Sequence, residues 1–125
     1  MKRLALPSIP AELLPVEALR LRVQYWSGRL RAQPREIVVM RMTRKWASCS
    51  ARGRICLSRD LLSQSSQAQD YVVVHELLHL RHPNHGQVFR ALIRTFLPER
   101  TIRLAEQSLG TGSRVKITGL NGRSF

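Results

Sequence analysis

The stretch YVVVHELLHLRHPNH, residues 71–85, decides how the rest of the chain is read, because all four histidines of the 125-residue sequence lie inside it, at 75, 79, 82 and 85. Residues four apart stand on one face of a helix. His75 and His79 can therefore aim ring nitrogens at one point, at the roughly 2.0–2.1 Å that a zinc ion requires. Glu76 is rotated by roughly 100° from His75. That is too far round for a ligand but suits a general base acting on water beside the metal.

A catalytic zinc keeps three protein ligands and leaves a fourth position to water. His85 is favoured as the third ligand. Pro83 pushes His82 out of the helical region, so the helix stops near Arg81, and a turn through His82-Pro83-Asn84 swings His85 back toward the metal. His82 itself, on a continued helix, and Glu99, twenty residues after His79, are the rivals. A helix whose histidines merely pack is the weaker account, because His-Glu-x-x-His with an offset further His is far more specific than a lone His.

Three segments carry a family resemblance: MTRKWASCSARGRICLSRDLL (42–62), DYVVVHELLHLRHPNHGQVF (70–89) and ALIRTFLPE (91–99). Together they resemble the YgjP-like metallopeptidase family, a branch of the zincins related to the SprT-like and WLM proteins. The resemblance implies the ligand set His75, His79 and His85, one Zn2+ per chain, Glu76 as catalytic base and a peptide carbonyl as electrophile. The chain differs from the usual family residues at Ala47, Gly86 and Arg90, where Gly, Ser and often Trp are found.

Outward from the motif, the expected fold is α+β: a zincin-like single domain with a small antiparallel sheet packed on the His-Glu-x-x-His helix and further helices around it. The division is an extended lead-in at 1–15, the domain at 16–110 and a basic, loosely ordered tail at 111–125 with a short strand at 115–117. Leu19, Val23, Trp26 and Leu30 form an apolar stripe at helical spacing, with Arg20, Arg22, Arg29 and Arg31 among the positions around it. Glu36 to Met42 reads as a strand, and Trp46–Ser50 with Arg54–Ser58 as a hairpin turning at Gly53, Ile55 and Leu57 sharing one face. Asp60–Leu62 opens a short helical turn. Ser65 or Ser66 caps the active-site helix, which runs from about Gln67 to Leu80. Phe89, Leu92, Ile93 and Phe96 mark another amphipathic helix, and Pro98 opens a last one that Gly110 stops.

The charge is unusual: 21 Lys and Arg against 8 Asp and Glu give +13. Arg41, Arg44, Lys45, Arg52, Arg54 and Arg59 occur with no acidic residue between 41 and 59, so a cleft wall built from the hairpin is basic. Nucleic acid or nucleotides are candidate partners beside a polypeptide substrate. Arg44, Trp46 and Ser48 are candidate substrate-binding residues, with a packing role for Trp46 and a hydrogen-bonding one for Ser48 as the competing reading. A nucleotide phosphohydrolase and a nucleic-acid-associated protein with a zinc site are the alternative functions. Cys49 and Cys56 flank the hairpin turn, where a disulfide is geometrically conceivable but a reduced pair is expected. No segment is long enough to span a membrane, and a cytoplasmic protein is the expectation. The oligomeric state is not legible.

Overall fold

The computed structural model describes residues 6–110. The basic tail and its expected strand at 115–117 lie outside the described residues. Helix α1 spans Pro15–Leu30. Proline suits its first position, where the missing N–H would have had no partner, and the Glu17 carboxylate accepts the Leu14 N–H at 3.4 Å. The helix ends at Arg31, which takes a left-handed φ of 53°.

Strand β1, Glu36–Met40, is followed by β2, Ala47–Cys49, and β3, Arg54–Ser58. The β2–β3 pair is the expected antiparallel hairpin, with Ile55 and Leu57 buried on one face. Gly53 turns it with a φ of 88°, and a Cβ there would meet the Arg35 side chain at 3.3 Å. Such a φ strains any L side chain. The sheet as a whole is mixed, which corrects the expectation of an antiparallel one: the strand order is β1-β3-β2, and β1 pairs with β3 in parallel. The chain from β1 crosses to the far edge before the hairpin returns β3 to the middle, so β1 and β3 share a direction. Cys49 lies opposite Ile55, and Ser48 opposite Cys56. The two cysteines thus alternate onto opposite faces, and both are free thiols.

A 3-10 turn, Arg59–Ser63, leads into α2, Ser66–Leu78. Ser65 caps α2, its Oγ accepting the Ala68 N–H at 3.2 Å. Helix α2 is buried on nearly every side and packs against α1, β2, α3 and α4. The helical register ends at Leu78, two residues before the expected Leu80. Tighter turns continue it, with Leu80 and Arg81 N–H bonding Leu77 and Leu78 carbonyls at 3.1 Å.

Arg22, expected among the polar positions of α1, is buried and points inward. Its guanidinium lies 2.8 Å from Asp70 of α2 and 3.0 Å from the Ser66 hydroxyl, and the Trp26 indole donates to the same Asp70 oxygen at 3.0 Å. This network clamps the start of α2 against α1. Helices α3, Gln87–Phe96, and α4, Glu99–Leu109, complete the fold. Phe89 and Ile93 of α3 are buried, and Leu92 and Phe96 are partly so.

Candidate metal centre

The rings of His75, His79 and His85 meet at the C-terminal end of α2. One ligand-capable atom from each lies within 4.8 Å of the others, the only such group among the described residues. The i, i+4 spacing stacks His75 and His79 on one face, with ring centroids 4.7 Å apart. The turn at 82–84 then returns His85, whose Nε2 stands 2.8 Å from His79 Nε2. His79 Nδ1 lies 3.1 Å from the His82 carbonyl. Donation from Nδ1–H fixes the tautomer and leaves the Nε2 lone pair aimed into the site.

The rivals for third ligand fall elsewhere. His82 offers its carbonyl to His79 and its ring is outside the cluster. Glu99 is exposed at the start of α4. Neither belongs to the group of convergent ligand atoms.

Burial keeps His79 and His85 in the neutral form that can bind a metal. It pushes the imidazoles of His79 and His85 down to about 4, and the neighbouring rings reinforce the effect. Two neutral imidazoles with facing Nε2 atoms can share at most one hydrogen, whereas a cation satisfies every lone pair directed at it. The donor set therefore fits a first-row metal ion.

Phe89 forms the floor. Its ring centroid lies 5.1, 4.8 and 4.9 Å from those of His75, His79 and His85. The apolar stripe of α3 announced Phe89 as a core residue, and nothing in its spacing told that it touches all three imidazoles.

Glu76 is fully buried, with Oε2 3.4 Å from His75 Nδ1. Cys49 of β2 feels its charge: burial first and Glu76 second raise the thiol to about 11. The end of β2 is thus the neighbour of the carboxylate. Of the other sequence candidates, Trp46 is buried and its indole donates to the Leu109 carbonyl at 3.1 Å, tying β2 to the end of α4. Ser48 is half-buried opposite Cys56, and Arg44 is exposed just before β2.

Residues 15–109 match the YgjP-like metallopeptidase domain. The chain belongs to this family. It is accordingly a metallopeptidase-class hydrolase whose chemistry requires a metal ion. Two solved structures share the fold. The metallopeptidase zymogen abylysin of Pyrococcus abyssi is 22% identical at a TM-score of 0.65, over 81% of this chain and 98% of that one. The metallopeptidase zymogen jannalysin of Methanocaldococcus jannaschii is 21% identical at 0.64, over 71% and 90%. No curated protein matches the chain. In this chain the YgjP-like domain has a mixed three-stranded sheet and four α-helices among the described residues, and no described helix is long and apolar enough to cross a membrane.

Proposed function

We propose that the protein is a zinc metallopeptidase in which His75, His79 and His85 hold the ion and Glu76 is the general base. The observation that carries this reading is the convergence of three imidazoles over Phe89 with a buried carboxylate beside the first of them. When bound, zinc supplies a Lewis acid that brings the pKa of water toward about 7 and polarises a carbonyl. Glu76 takes the proton of the attacking water and passes it to the departing amine. The His82 carbonyl and Phe89 keep the imidazoles oriented.

The substrate chain is read as an added strand. Ser50 N–H bonds the Arg54 carbonyl at 2.9 Å and Ser58 N–H bonds the Trp46 carbonyl at 2.9 Å. Positions 46 and 50 thus turn toward β3, and by alternation the backbone groups of Ala47 and Cys49 point away from it, Ala47 being fully buried and Cys49 half-buried. The half-buried Cys49, whose thiol feels the Glu76 charge, is where such a peptide would meet the strand. A phosphohydrolase is disfavoured because no carboxylate cluster for a second metal occurs among the described residues. A cytoplasmic setting suits the two free thiols.

Turnover of an unfolded protein by the zinc-loaded enzyme, compared with Glu76→Gln, tests the reading. The variant should bind zinc normally and lose about 10²–10⁴-fold in rate, the usual scale of general base catalysis. Equal turnover by both proteins would end the assignment of Glu76.

A further inference from the structure

We propose that the cavity between α3 and α4 is a subsite of the metal centre that accepts a carboxylate of the bound polypeptide, held by Arg90, Arg94 and Arg103. This rests on the peptidase reading above and names the substrate group that the enzyme selects. The cavity measures about 460 Å³, within the roughly 300–1,000 Å³ usual for ligand sites. Ile93, Leu97 and Ile102 give it an apolar wall, the first two being buried. The three arginines line it from both helices.

Two contacts join the cavity to the metal centre. On the α3 side, Arg90 directly follows Phe89, whose ring meets all three imidazoles. Burial, the His75 ring and then the Arg90 charge hold the His85 imidazole down, so this guanidinium is within electrostatic reach of a metal ligand. On the α4 side, Glu106 lines the cavity and accepts the Tyr71 hydroxyl at 3.3 Å, and the Tyr71 ring centroid lies 6.2 Å from that of His75. A polypeptide held at the metal therefore has this cavity as its neighbour.

The charge balance favours an anion, with three guanidiniums against the carboxylates of Glu99 and Glu106. Glu106 is engaged by Tyr71, and Glu99 stands in the first turn of α4, where the helix dipole favours negative charge without any ligand. Among the described residues neither Arg94 nor Arg103 belongs to an ion pair. A guanidinium presents a planar fork that matches the two oxygens of a carboxylate, and the apolar wall takes the aliphatic stem that carries it. Polypeptide is favoured over nucleic acid because the cavity suits one charged group on such a stem, whereas a phosphodiester backbone repeats its charge along an extended surface.

The test uses labelled peptides that share a neutral core: one amidated at its C-terminus, one with a free C-terminal carboxylate, and an amidated set with a single Glu at each position in turn. The readouts are anisotropy of binding to zinc-loaded Glu76→Gln and kcat/KM on the zinc-loaded enzyme. A carboxylate peptide should be favoured over the neutral one by about tenfold at low salt, and its identity tells a chain terminus from a side chain. Arg94→Gln combined with Arg103→Gln should abolish the preference while leaving the melting curve in place, both positions being exposed. The proposal is overturned by indifference to every carboxylate or by a preference that survives the double substitution. It is overturned equally by a short DNA oligonucleotide that binds tighter than any peptide and is lost in the double variant. If no peptide is cleaved but the binding preference and its loss hold, the peptidase reading fails and the carboxylate site stands. Binding and cleavage of all the peptides alike would do the reverse, leaving the peptidase in place and removing the subsite.

Discussion

His85 Nε2 and His79 Nε2 face each other at 2.8 Å, although a proline-containing turn separates the two residues. Such a pair has one hydrogen at most to share, and a cation is what two directed lone pairs can bind together. Protein purified without chelators should therefore carry about one zinc per chain. His85→Ala should lower the occupancy and Glu99→Ala should not. A folded wild type that contains no metal and refuses added zinc would remove the metal centre altogether.

Phe89 touches all three imidazoles, so its removal should be felt by the metal as well as by the core. Phe89→Ala is expected to cost about 3–5 kcal/mol of stability. Phe89→Leu keeps most of the volume and the fold but loses the flat surface against which the rings rest. Zinc affinity in Phe89→Leu should fall about tenfold, as when a partner that orients a ligand is lost. Competition against a chromophoric chelator measures this, and the visible spectrum of the cobalt-substituted variant reports altered ligand geometry. Unchanged affinity and spectrum would reduce Phe89 to ordinary packing.

The Arg22–Asp70 pair is buried, its side chains 9% and 2% exposed. Asp70→Ala strands a guanidinium in the interior and should cost about 3–5 kcal/mol, whereas replacing both partners by leucine should recover most of that loss. Chemical denaturation of the two variants decides it. A single variant as stable as wild type would show that the guanidinium finds water.

Acid should destabilise the metal-free protein through its histidines. Folding holds His79 and His85 down to about 4, against 6.5 for an unburied ring. The unfolded chain therefore binds protons first, and stability is fully present above about 6.5 and lost as the pH falls toward about 4. Melting temperatures of chelator-treated protein across that window should decline with pH. The slope should lessen in His79→Gln with His85→Gln, and a flat wild-type profile would contradict the burial of these rings.

Much of the candidate site was legible because its geometry is local. The four-residue repeat of His75 and His79, the proline after His82 and the return of His85 all fall within eleven consecutive residues, and the order of helices followed from apolar spacing. What escaped the sequence is non-local. Nothing in the composition of β1 says whether its partner runs with it or against it, since register and direction depend on where the hairpin lands. Arg22 looked like a surface cation because its partner, Asp70, is 48 residues away. Phe89 looked like core for the same reason: hydrophobic spacing announces burial but not what the ring is buried against.

His79 is the residue that closes α2, and His85 stands just before Gly86, the cap of α3. Their contacts with each other, with His75 and with Phe89 thus fasten the finish of one helix to the beginning of the next. A short loop costs little to close, so the joint forms readily and is stiff once formed. The imidazoles act as a rivet: the angle between α2 and α3 is set by the same three rings whose ligand atoms converge.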